Sequence, residues 1–216
     1  MALPLAGRPV LHHVLSALAP AVDGVWVVTG HEASRVEGLV REWQGDAPSF
    51  VETVHNPIYA EGMLSSVLAG ARAVPEGSYL FIQPGDYPLL TAAVFQSLRG
   101  AAMDAARTDQ GGADAPGVFI PRHNGKNGHP VLLAPDCLAA LRLLAEGEVT
   151  DSGVPSEDRN IHVAARDAPI QIATLKDFLA HWRTAYIDVD DEGVLIDLDT
   201  PEDYRRIEEK MRGREP

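Results

Sequence analysis

The apolar positions change period repeatedly along the chain. Over residues 8–19, Val10, Leu11, Val14, Leu15 and Leu18 recur at helical spacing, with Pro9 suited to a first turn. Residues 24–30 form a short apolar run closed by glycine, the pattern of a buried strand, and a helix follows over about 32–43. Residues 50–54 are rich in strand formers and stop at His55-Asn56-Pro57. Residues 64–74 read as a helix with small residues on one side, and 78–82 as a second buried strand ending in Gln83-Pro84-Gly85-Asp86. The next helix covers 91–106, and 109–117 reads as an exposed loop. Residues 118–121 and 130–133 form two strands around the turn His123 to Gly128, followed by a helix over 136–145. Residues 147–160 are polar and turn-rich and read as the mobile segment. A helix over 172–182, strands over 186–189 and 194–198, and a last helix over 201–212 complete the pattern. Strands alternating with helices predict an α/β fold, a mostly parallel sheet with helices on both faces. No repeat, low-complexity tract or linker divides residues 1–216, so a single domain is expected.

Composition narrows the function classes. The chain carries 31 acidic and 18 basic residues, a net charge of −13. That balance argues against nucleic acid and anionic membranes, which are bound through Lys and Arg. No apolar run approaches the roughly 20 residues of a membrane helix, and the start lacks the basic flank and long apolar stretch of a secretory signal. Cys137 is the single cysteine, so no internal disulfide and no thiolate cluster can form from this sequence. The expectation is a reduced, cytoplasmic protein that handles small molecules.

Four features carry candidate chemistry. Asp86 follows a buried strand, where open parallel sheets bind ligands, and Pro84 and Pro88 stiffen its surroundings. It reads either as a Mg²⁺ ligand or as a turn former after Gly85. In Val194-Leu195-Ile196-Asp197-Leu198-Asp199-Thr200-Pro201, strand alternation puts Asp197 and Asp199 on one face. Thr200, Pro201 and Asp203 explain themselves as a helix start. Two acids on one strand face repel unless a cation, water or base lies between them, or the face is simply solvated. In Asn127-Gly128-His129-Pro130, the proline restricts His129 to extended backbone at a loop–strand junction, as a ligand-binding imidazole or a surface histidine. In the segment Asn56 to Val67, Gly62 allows close backbone approach, and Ser65 and Ser66 open a helix. Helix capping alone also explains those serines. The motifs G-x-x-x-x-G-K-[ST], G-x-G-x-x-G, G-x-S-x-G and H-E-x-x-H are absent, and the adjacent His12 and His13 point in different directions on a helix.

In order along the chain, Leu3-Pro4-Leu5-Ala6-Gly7-Arg8-Pro9-Val10-Leu11, the Asn56…Gly62-Met63…Ser65-Ser66 segment, Pro84-Gly85-Asp86-Tyr87-Pro88, Gly128-His129-Pro130 and Asp197-Leu198-Asp199-Thr200-Pro201-Glu202-Asp203-Tyr204 resemble the MobA-like nucleotidyltransferases, and among them the molybdenum cofactor cytidylyltransferases. The resemblance implies a three-layer, Rossmann-like nucleotidyltransferase fold. It implies Mg²⁺-dependent transfer of a nucleotidyl group from an NTP, CTP rather than GTP, to a phosphorylated acceptor such as molybdopterin, with release of pyrophosphate. Carried over, Asp86 and Asp197 hold Mg²⁺ with Asp199 assisting. Gly62 and Ser66 line the nucleobase pocket with Ser65 nearby, and His129 lies on the acceptor side.

The family normally begins with a strand and a loop of the type L-A-A-G-x-S-x-R-M-G, followed shortly by lysine. Here Met1 stands directly before the Leu3 to Leu11 segment. The family's first strand is central, so its neighbours are expected to have unpaired edges. Met1 is then either internal to a longer protein, the favoured reading because the other motifs are intact, or the start of a short form with weakened NTP binding. Either way this chain is expected to be a poor catalyst. Residues 146–160 also lack the G-D-x-G-A-R stretch that close cytidylyltransferases often carry, which opens the acceptor to a sugar- or polyol-phosphate. The contrasting expectation is a non-catalytic, chaperone-like protein on the same fold, binding a cofactor or a molybdoenzyme partner.

Overall fold

The computed structural model describes residues 2–43, 50–107, 115–146 and 172–213. The short strands Pro4–Leu5 (β1) and Arg8–Pro9 (β2) pair as an antiparallel hairpin across Ala6 and Gly7, both at positive φ. Helix α1, Val10–Leu18, buries Val10, Leu11, Val14, Leu15 and Leu18, the stripe its spacing predicts. Then come β3 (Gly24–Thr29), α2 (Ala33–Glu42), β4 (Phe50–His55), α3 (Met63–Ala73), β5 (Leu80–Ile82) and α4 (Ala92–Arg107). The second half holds β6 (Val118–His123), β7 (Lys126–Asn127), β8 (Val131–Leu133), α5 (Pro135–Glu146), α6 (Leu175–Leu179), β9 (Thr184–Asp188) and α7 (Pro201–Arg212).

Strands β3 and β4 are parallel, in register from Gly24 opposite Phe50 to Thr29 opposite His55. A second sheet runs β5-β8-β6-β7, with β9 parallel on β6. The pairs β5–β8, β6–β8 and β6–β7 are antiparallel because a tight turn returns the chain from β6. Alternation along β6 and β8 sends Phe119 and Leu132 to one face, into a core with Val14, Val94, Phe95 and Leu98 from α1 and α4. Val118, Val131 and Leu133 face the other side, packed with Ala71, Cys137, Leu141 and Phe178 from α3, α5 and α6. The result is a mixed α/β fold with helices on both faces, as the alternating pattern predicts, with parallel pairing at β3–β4 and β6–β9 and antiparallel pairing elsewhere among the described strands.

Among the described residues β3 pairs only with β4, and β5 only with β8. Both strands border one cavity of about 680 Å³, lined by residues such as Val25, Val27, Leu80 and Ile82, with Leu15 and Phe95 from the helices. The unpaired edges anticipated from the family pattern are therefore present.

Two elements differ from their expectation. Residues 194–198 are not a strand: Glu192–Leu195 is a short 3-10 turn, and Ile196 onward is extended but unladdered. Asp191 caps the turn through Gly193, whose N–H donates to Asp191 Oδ1 at 2.8 Å. Gly193 packs so closely on Leu89 that a Cβ would lie 2.6 Å from its carbonyl oxygen, and this contact favours a turn over a ladder. The helix expected over 172–182 shortens to α6, and the expected mobile segment 147–160, with most of the loop at 109–117, lies outside the described residues.

Cys137 tests the packing. It is fully buried, donates to the Gly117 carbonyl at 3.0 Å, and burial pushes its thiol well above the ordinary value. We expect no reaction with a thiol reagent until denaturant unfolds the chain; stoichiometric labelling of the native protein would contradict this core.

Candidate active site

The site assembles at the end of β5. The chain leaves Ile82 through Gln83, Pro84 and Gly85 and reaches Asp86, half-buried. The Leu198 N–H donates to the Asp86 carbonyl at 2.9 Å. That one bond sets Asp197 and Asp199 on either side of a residue docked against Asp86. Without a ladder the two-faced alternation expected of a strand is lost: Ile196 is buried, Asp197 and Leu198 are half-buried and Asp199 is exposed. Asp203 is drawn off into the α7 cap: it accepts from the Thr200 N–H at 3.0 Å, and its own N–H donates to Thr200 Oγ1 at 3.2 Å.

His129 joins from the β7–β8 turn. Its N–H donates to the Val194 carbonyl at 2.9 Å. Gly128 makes this approach possible, because a Cβ there would lie 2.2 Å from the same oxygen. The Tyr87 ring meets the imidazole edge-on, with centroids 4.9 Å apart.

Charge is poorly compensated here. Burial, and then the nearby Asp199 and Asp197, raise the Asp86 carboxyl above its ordinary value. Burial and the same acids push the Tyr87 phenol up to about 12. Burial lowers His129 below its ordinary value, with Asp197 opposing, which favours the neutral imidazole. Asp86 Oδ1 and His129 Nδ1 are both buried without a hydrogen-bond partner. A cation beside Asp86 would relieve these costs. Among the described residues, however, no three His, Cys, Asp or Glu side chains converge as a ready cage. The donor set fits Mg²⁺, which takes one or two carboxylates and completes its shell with water and phosphate oxygens.

The second half of the site lies at the exit of β4. Asn56 is 1% exposed; its N–H donates to the Thr29 carbonyl at 2.7 Å and its Oδ1 accepts from the Ile58 N–H at 3.1 Å. Its amide nitrogen donates to Ser65 Oγ and Ser66 Oγ at 2.9 and 3.0 Å. Gly62 precedes α3 at φ 106°, a backbone conformation that favours glycine even though space for a Cβ is open. Of the residues singled out from sequence, Ser66 lines the cavity between β3 and β5, beside Gln83, Pro84 and Gly85. Gly62, Ser65, Asp86, Asp197, Asp199 and His129 do not. The acids and His129 are thus gathered together, and Ser66 shares the cavity wall with the Gln83–Gly85 segment that leads to Asp86. The sequence places Asn56 and Tyr87 within the motifs but gives neither a role; only the paired serines downstream hint at a partner for a buried amide.

Residues 1–157 match the MobA-like NTP transferase domain, and the chain belongs to this family. The molybdenum cofactor cytidylyltransferase of Escherichia coli (strain K12) is 26% identical over 162 residues, which are 75% of this chain. The match spans 65% of that relative's length. Molybdopterin-guanine dinucleotide biosynthesis protein A from Archaeoglobus fulgidus has the same fold, with a TM-score of 0.60 at 18% identity over 98% of this chain and 90% of that one. Rv0371C from Mycobacterium tuberculosis H37Rv, solved in complex with manganese, gives a TM-score of 0.53 at 20% identity over 96% and 89% of the two chains. No helix among the described residues is long and apolar enough to cross a membrane.

A raised carboxyl value makes the ionised form the costly one. Stability contributed by Asp86 is therefore greatest when it is protonated and falls as pH rises through its folded value. We expect Asp86→Asn to raise the melting temperature of the metal-free protein at pH 7 by a few degrees, and to abolish the further rise that Mg²⁺ or Mn²⁺ gives the parent chain. A variant that melts lower, or still responds to the cation, would contradict the proposed electrostatics.

Proposed function

We propose that this chain forms a single, cytoplasmic nucleotidyltransferase domain, residues 1–216, that uses Mg²⁺ to move CMP from CTP to a phosphorylated acceptor. Molybdopterin is the first candidate, and a sugar- or polyol-phosphate the next. The observation that carries the reading is the gathering of Asp86, Asp197 and Asp199 with His129 at the end of β5, beside a cavity whose rim holds Ser66.

In this reading an acceptor phosphate oxygen attacks the α-phosphorus of CTP. A new P–O bond forms there as the bond to the bridging oxygen breaks, and pyrophosphate leaves with the electron pair. Asp86 and Asp197 are the residues that would hold Mg²⁺, with Asp199 at their side; held there, the cation would supply positive charge to offset the charge developing on the leaving group. Ser66 and the Gly62 backbone border the base, with Ser65 behind. His129 stays neutral and offers a hydrogen bond to the acceptor, its ring braced by Tyr87. No protein nucleophile is required.

A second reading, a cofactor-binding protein without turnover, draws on the cavity open between β3 and β5. Pyrophosphate release from CTP or GTP, with Mg²⁺ and molybdopterin, separates the two. Asp86→Asn and Asp197→Asn should each reduce turnover by roughly 10²-fold or more, as loss of a group stabilising transition-state charge does, with an unchanged circular dichroism spectrum. Near-normal activity in either variant would remove that residue from the cation site. His129→Ala should weaken the acceptor more than the nucleotide; equal effects would end its assigned role.

A further inference from the structure

Asn56 is oriented by a partner that admits no ambiguity. The Ile58 main-chain N–H can only donate, so the Asn56 atom it meets at 3.1 Å is the carbonyl oxygen. The other end of the amide is therefore the nitrogen, a pure donor, and it contacts both serine hydroxyls. Each hydroxyl has one hydrogen to give and lone pairs to receive. Ser65 gives its hydrogen back to the loop, to the Gly62 carbonyl at 2.8 Å with the Ile58 carbonyl at 3.2 Å. Ser66 accepts from Asn56, and among the described residues no group takes the Ser66 hydrogen. Ser66 also lines the cavity, and Ser65 does not.

We propose that Asn56 is a positioning residue that makes Ser66 an obligate hydrogen-bond donor toward the bound nucleobase. Its amide fills the acceptor side of the Ser66 hydroxyl, so the hydrogen is turned to the cavity. The pocket then selects a base edge that presents an acceptor there, such as the ring carbonyl of cytosine, and disfavours an amino group at the same point. Ser65 serves as the latch that holds the loop from Ile58 to Gly62. This inference rests on the reading of the site as a nucleotide pocket.

Asn56→Asp tests it with almost no change in shape. A carboxylate keeps the Ile58 bond, but its second oxygen accepts and draws the serine hydrogens inward. Calorimetric titration with CTP and Mg²⁺ should show affinity lower by about tenfold or more in Asn56→Asp, the scale expected for a lost hydrogen bond that leaves a buried group unpaired. Ser66→Ala should show a similar loss, and this variant keeps the test intact if the aspartate disturbs folding. The double variant should be no weaker than Ser66→Ala alone, because both changes remove the same bond. A purely structural role for Asn56 would instead give additive losses. Wild-type affinity in Asn56→Asp, or additivity in the double variant, overturns the inference while leaving the nucleotide pocket in place. If the unaltered chain binds neither CTP nor GTP, the pocket reading fails and this inference falls with it.

Discussion

Crowded negative charge at the end of β5 is the constraint on which the site depends. Asp86 sits where β5 ends, and the Leu198 N–H ties the Asp197–Asp199 segment to its carbonyl. The fold thereby holds together acids that repel one another and deny Asp86 full solvation. Such an arrangement costs stability unless something positive completes it. The neighbouring packing fits this purpose: Gly128 and Gly193 permit backbone approaches that any side chain would block, and these approaches set His129 against the 3-10 turn that leads to Asp197.

The second constraint is the core. The sheet is split among the described residues, with β3 and β5 each paired on one side and a largely apolar cavity between them. A strand edge exposes a row of donors and acceptors that buried surroundings cannot satisfy. Ser66 of α3 and the Gln83–Gly85 segment that follows β5 line this same cavity.

Much of this was legible in the sequence. The stripe along α1, the apolar runs at β3 and β5, and the Thr200–Asp203 cap follow from period and capping chemistry alone, and each lies where those rules put it. The Asp86, Asp197, Asp199 and His129 set was named from motifs, and the fold gathers it. The failures have local causes. Residues 194–198 alternate like a strand, but the tight contact of Gly193 on Leu89 and the cap from Asp191 turn the chain into a 3-10 helix first. Alternation in the sequence alone does not supply a neighbouring strand to pair with. Asn56 was hidden because an asparagine before proline is common turn chemistry, and its role depends on serines brought close only by the fold.

The measurement that bears most directly on the account is calorimetric titration of the chain with CTP in the presence and absence of Mg²⁺. The charge cluster around Asp86 predicts binding that requires the cation, because triphosphate would otherwise meet three carboxylates. CTP binding of equal strength in a chelator would contradict the account, since the acids could not then be the place where the phosphates are held.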